Sequence, residues 1–155
     1  MWINPEPMGD ELMDNATHYV RMHGYSQISE GGSCDDVLEV LDHALDAGYT
    51  VAWGGDVSGD FTRTGLAMLP DSIQPTQQLR QEQWDDWRMT YDHVMVIYGK
   101  AIDEQGKPYY LVKNSWGKYG QYDGIWYMSR DYIMLNTTYL FLNRQALPKA
   151  ILTNN

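Results

Sequence analysis

The sequence predicts an α+β domain in which one amphipathic helix packs against an antiparallel sheet. Three observations carry that prediction. Val37, Leu38, Val40, Leu41, Ala44 and Leu45 recur at helical spacing and form one apolar stripe. After Asp92, short runs rich in Val, Ile, Tyr and Trp alternate with turns bearing Gly and Asp, as in a β-meander. The 155 residues, 43% of them apolar, suit one globular domain with a substantial core.

The elements follow in order. Residues 1–32 form a lead-in of ambiguous pattern. Pro5 and Pro7 disfavour a regular start, Leu12, Ala16 and Tyr19 have helical spacing, Thr17 to Met22 reads equally as a strand, and Gly31-Gly32 breaks the chain. Ser33 is a good helix N-cap, with Asp35 and Asp36 at the positive end of the helix dipole and Gly48 as the stop. Thr50 to Trp53 reads as a short buried strand ended by Gly54-Gly55. Residues 54–90 read as a long irregular excursion with Gly59, Gly65, Pro70, Pro75 and a polar run from Gln77 to Gln83, pinned by Trp84 and Trp87.

Strands are expected at Val94–Tyr98, Tyr109–Lys113, Ile125–Met128 and Thr138–Leu142, the first two joined by a turn at Asp103–Gly106. Gly117, Gly120 and Gly124 mark a loop, and Ser129 caps a short turn through Asp131 to Leu135. Residues 147–155 would form a C-terminal arm, and residues 1–155 a single domain.

Composition narrows the function. There are 21 acidic residues against 11 basic ones, a net charge of −10 that a phosphate backbone would repel, so nucleic acid is not an expected partner. No apolar run approaches the ~18–20 residues of a membrane span. The start lacks the basic and apolar stretches of a signal peptide, which makes a cytoplasmic location the expectation. One cysteine, Cys34, excludes an intrachain disulfide and a Cys-rich zinc site. His18, His23 and His43 lack metal-ligand spacing, and no phosphate-loop Lys follows either Gly-Gly pair, so no metal or cofactor is expected. Adjacent Asp85 and Asp86 on a polar segment read as solvated rather than as an acid–base pair.

The hairpin can serve as a ruler, because facing residues of an antiparallel pair have numbers with a constant sum. A turn centred between Glu104 and Gln105 gives a sum of 209. His93 then faces position 116, and positions 93, 114 and 116 share one face. His93 and Asn114 become diagonal neighbours within side-chain reach, provided that no half-step shift breaks the parity. An Asn carbonyl on one imidazole nitrogen fixes the tautomer and presents the other nitrogen to a nucleophile. With a cysteine this yields a thiolate–imidazolium pair. The plainer reading of His93 is a surface or satisfied core histidine.

These residues also carry a resemblance. Asp92-His93-Val94-Met95 at a strand start, then Val112-Lys113-Asn114-Ser115-Trp116-Gly117 at the end of the next, resembles the papain superfamily of cysteine peptidases. Val51 to Val57, after an amphipathic helix, resembles its bleomycin hydrolase and aminopeptidase C branch. The resemblance covers residues 33–148 and implies a papain-like fold, of which this chain would be the C-terminal β-rich lobe, a half-barrel. It implies that His93 is the proton shuttle, Asn114 its orienting residue and Trp116 the shield over their bond. It implies peptide substrates cleaved through an acyl-enzyme, an aminopeptidase-like activity, a hexameric assembly and a C-terminal arm that narrows the cleft.

The family's nucleophile lies elsewhere, in a Gln…Cys-Trp context at a helix start in a helical lobe. Neither that Cys-Trp pair nor its Gln is in this sequence, so a nucleophile from outside the chain is the expectation. Cys34 is the tempting substitute, near a helix N-terminus that would lower its pKa. No Trp follows it, and Glu30, Asp35, Asp36 and Glu39 surround it with negative charge that disfavours a thiolate. The rival to an enzyme is a non-catalytic papain-like module that binds a peptide or a partner.

Overall fold

A computed structural model describes residues 34–57, 64–90 and 92–149, with only the backbone of Cys34 and Asp35. The lead-in of residues 1–32, the Ser33 cap, Gly59 and the arm beyond residue 149 lie outside the described residues.

Helix α1 (Cys34–Asp46) forms where the apolar stripe runs. Val37, Val40, Leu41 and Ala44 are fully buried against the core. Gly48, at φ +81°, ends the helix in a conformation that favours glycine. The chain then enters β1 (Val51–Gly55), followed by a two-residue strand β2 (Leu66–Ala67), helix α2 (Gln77–Asp85) and strands β3 (His93–Ile102), β4 (Pro108–Lys113) and β5 (Ile125–Ser129). Helix α3 (Arg130–Asn136), β6 (Thr137–Phe141) and a 3-10 turn (Arg144–Ala146) complete the described chain.

The six strands form one sheet in the order β2-β5-β4-β3-β1-β6. β3, β4 and β5 are the expected meander, and β1 pairs antiparallel with β3. β6 does not extend the meander beside β5. Instead α3 carries the chain over to β1, which β6 borders antiparallel, while β2 lies parallel to β5. Ser129 does cap the segment after it, its Oγ accepting from Tyr132 N at 3.2 Å, but that segment is a full helix whose Tyr132, Ile133 and Leu135 are buried. Trp53, Trp126, Met95, Ile97 and Met128 fill the core beneath.

Within the expected irregular excursion, the polar run from Gln77 is α2. Thr76 caps it, Oγ1 accepting from Leu79 N at 3.1 Å. Gln78 donates to Glu82 and Gln81 to Asp85 along its exposed side. Of the two expected Trp anchors, Trp87 is 84% exposed, whereas Trp84 is half-buried. Arg80, with its side chain fully buried, and Met89 point inward, and Leu79 packs partly buried against the core.

An ionic cluster fastens α1 to the sheet. Asp42 accepts from Arg130 Nη1 at 2.7 Å and from Tyr110 OH at 3.0 Å, and Lys100 pairs with Asp46 at 2.6 Å. No helix among the described residues is long and apolar enough to cross a membrane.

Candidate active site

The register of the hairpin decides which residues meet. Near the turn, Ile102 pairs with Pro108 and Lys100 with Tyr110, a sum of 210. That parity would place His93 and Asn114 on opposite faces. A bulge between Ile97 and Gly99 leaves Tyr98 unpaired and shifts the ladder, so that Ile97 pairs with Val112 and Val96 with Lys113, a sum of 209. The bulge therefore turns Asn114 onto the face of His93.

The side chains meet there. His93 Nε2 lies 3.0 Å from Asn114 Oδ1. The same oxygen accepts from Ser115 N at 2.7 Å, which fixes the orientation of the amide. An oxygen that only accepts requires Nε2 to carry the proton, which leaves Nδ1 as the basic nitrogen of the neutral ring. Asn114 is 3% exposed, so its bond to His93 is shielded. The Trp116 ring centroid lies 5.3 Å from the imidazole with the planes at 51°, and Tyr119 meets Trp116 edge-on at 5.4 Å. Trp116 stays half-exposed and covers one side of the imidazole.

The loop after β4 holds this arrangement in place. Asn114 N donates to Gly124 O at 3.0 Å, and Gly124 N donates to Tyr119 O at 2.6 Å. Gly124 sits at φ +81°, and a Cβ there would strike Gly117 O.

Other candidates lie apart. Asp85 takes the Gln81 amide, and Asp86 Oδ2 pairs with Arg88 Nε at 2.6 Å on the exposed surface. His43 Nδ1 lies 2.8 Å from Ala146 O and ties α1 to the 3-10 turn. His18 and His23 lie outside the described residues. Cys34 is the first residue of α1, and its side chain also lies outside them. Among the described residues, no three His, Cys, Asp or Glu side chains are grouped to hold a metal ion.

Sequence reasoning assigned no role to the residues behind His93. Gly55 pairs with His93 across β1 and β3. Asp92 N donates to Gly55 O at 3.3 Å, and Asp92 Oδ1 accepts from Val57 N at 3.1 Å. Asp56, 4% exposed, accepts from Thr90 N at 2.8 Å and from Thr90 Oγ1 at 3.3 Å. The tight Gly-Gly-Asp run was the available signal. A Cβ on Gly54 would overlap the Tyr139 ring, and one on Gly55 would overlap Trp53 and Asn136 O.

A family model, the Peptidase C1-like family, matches residues 32–154. The chain belongs to that family. Among solved structures, PepW from Lactobacillus rhamnosis HN001 is similar at 21% identity and a TM-score of 0.60, over 77% of this chain and 29% of that one. Procathepsin L2 from Tenebrio molitor is similar at 20% identity and a TM-score of 0.47, over 73% of this chain and 32% of that one. No curated protein sequence matches the chain. This member of the Peptidase C1-like family thus has a papain-like α+β fold, in the form of a β-rich lobe, and spans less than a third of PepW.

Proposed function

We propose that this chain is the His/Asn-bearing lobe of a cysteine peptidase and that the completed enzyme removes residues from the amino end of peptides. The observation that carries the reading is the 3.0 Å approach of His93 Nε2 to Asn114 Oδ1. Membership of the Peptidase C1-like family supports a cysteine-type hydrolysis. The aminopeptidase specificity rests on the likeness of Val51 to Val57 to the bleomycin hydrolase branch.

In this reading His93 takes the thiol proton of a cysteine at Nδ1 and stands beside the thiolate as imidazolium. Sulfur attacks the peptide carbonyl, and the imidazolium returns the proton to the leaving amine. Water then cleaves the acyl-enzyme, with His93 taking its proton and passing it to the departing sulfur. Asn114 keeps the ring in the productive tautomer through both steps, and Trp116 limits water at their bond. The cysteine comes from a helical lobe outside this chain, in the manner of the family's Cys-Trp helix. Cys34 is not that nucleophile, because Asp36 and Glu39 on its own helix disfavour a thiolate there. The C-terminal arm and a hexameric assembly would confine the cleft to the amino end of the substrate.

The test joins the chain to a Cys-bearing helical lobe and compares aminoacyl amides with their N-acetylated forms. Preferential cleavage of the free-amine substrates, unchanged in Cys34→Ala, is expected. Loss of all cleavage in Cys34→Ala would make Cys34 the nucleophile, equal cleavage of both substrates would remove the aminopeptidase reading, and binding without cleavage would favour a peptide-binding module.

A further inference from the structure

The described residues carry few buried polar side chains, and most of them lie at one place. Asp56, Arg80, Asn136, Thr137 and Thr138 are all 91% or more buried, and all contact the Gly54–Asp56 end of β1 or the strand that borders it. Thr138 Oγ1 donates to Gly54 O at 3.0 Å. Asp56 N donates to Asn136 O at 3.0 Å, and Tyr132 OH donates to Asp56 O at 3.2 Å. Arg80 Nη2 donates to Thr137 O at 2.7 Å, and Thr137 pairs with Gly55. Burying a carboxylate and a guanidinium costs stability unless hydrogen bonds satisfy them. This polar group lies directly behind His93, whose ladder partner is Gly55.

Within it, Asp56 bridges the two segments that flank His93 in space. Its backbone is held by α3 on both sides, at N and at O. Its side chain reaches 34 residues along the chain to the N–H and hydroxyl of Thr90, three residues before His93. Bonds from Asp92 to Gly55 and Val57 close the same junction. The side chain of His93 is steered by Asn114, but the backbone that carries it is steered from here.

We propose that Asp56 is a positioning residue: its carboxylate anchors Thr90, three residues before His93, so that the His93 imidazole meets Asn114. The proposal rests on the reading of His93 as proton shuttle for its relevance to catalysis, and on the hydrogen bonds alone for the placement. Both bonds go to Oδ2, which an amide oxygen in the same position can replace as acceptor.

The test reads the imidazole directly. The chain is labelled with 15N-histidine, and the Nε2 proton that His93 donates to Asn114 is observed by NMR. In the wild type this proton is expected to be protected from exchange with water. Asp56→Ala is expected to lose the protected signal while far-UV circular dichroism stays that of the folded chain, and Asp56→Asn is expected to restore it. An unchanged signal in folded Asp56→Ala would overturn the proposal. If Asp56→Ala does not fold, Asp56→Asn and Asp56→Gln decide. The longer Gln displaces the acceptor and should weaken the signal, whereas equal signals would overturn the role. In the enzyme completed by a Cys-bearing lobe, Asp56→Gln should lower kcat by roughly 10²-fold with KM little changed, the cost of displacing a catalytic group by about 1 Å. If the imidazole signal follows Asp56 while no hydrolysis depends on His93, the positioning role stands and the catalytic reading of His93 falls.

Discussion

Asn114 Oδ1 accepts from the Ser115 backbone and from His93 at once, and that double acceptance selects the basic nitrogen of the ring. Replacing Asn114 by Ala leaves Nε2 without its acceptor, so both tautomers become populated. The expected result is that the His93 Nδ1 and Nε2 15N shifts of the neutral form move towards each other, as averages over both tautomers, with the fold retained. Close packing acts at the same scale on the neighbouring glycines. Gly55→Ala would drive a methyl group into Trp53 and the Asn136 carbonyl, and is expected to cost about 1–3 kcal/mol in urea denaturation. The motif resemblance marked His93, Asn114 and Trp116 in the sequence, whereas strand parity put the turn at 209, which registers at 210 and reaches 209 only beyond the bulge. The bond from Asp56 to Thr90 was not legible, because it joins segments 34 residues apart through a fold that local patterns do not specify.

Among the elements, the hairpin of β3 and β4 shows how local geometry controls the site. The turn alone sets a register that separates His93 from Asn114, and the bulge at Tyr98 corrects it. All five residues with which β1 pairs, His93 to Ile97, lie on the site side of that bulge. Deleting Tyr98 is therefore expected to straighten β3 and disturb the Lys100–Asp46 pair while the protected His93 Nε2 proton persists. Its disappearance would show that the bulge does more than correct parity. α1 and the strands after Asp92 were readable because burial imposes periodicity on them. α2 was hidden because it is polar almost throughout, and its signal was a cap at Thr76 followed by a Gln–Glu and a Gln–Asp pair, each four residues apart. Thr76→Ala should lower stability by about 1 kcal/mol, measured as a shift in the urea midpoint. The position of β6 beside β1 was likewise invisible, because it depends on where α3 packs.

At the scale of the whole molecule, two titratable groups near the turn of the β3–β4 hairpin, Asp103 and Tyr110, respond to opposite extremes of pH. At the turn end, Asp103 accepts from Lys107 N, Tyr109 OH and Gln105 N, and chiefly the Lys107 bond holds its carboxyl below the ordinary range. A depressed pKa contributes stability above the unfolded value of about 3.9 and loses it as pH falls through the folded one. Tyr110 is pushed up, first by burial and then by the Asp42 carboxylate. Its contribution is complete below the unfolded value of about 10 and is lost as pH rises beyond it. Stability measured against pH should therefore fall at both extremes, with Asp103→Asn flattening the acid arm and Tyr110→Phe the alkaline arm. Neither substitution should move the His93 resonances, because both lie away from the site.

In the proposed function, hydrolysis by the completed enzyme would turn on His93 as the proton shuttle. The most direct measurement is the rate of aminoacyl-amide hydrolysis by this chain joined to a Cys-bearing helical lobe, compared between wild type and His93→Ala. Loss of general acid–base catalysis should lower the rate by at least about 10²–10⁴-fold, with the variant still folded. Hydrolysis at the wild-type rate by His93→Ala would contradict that role.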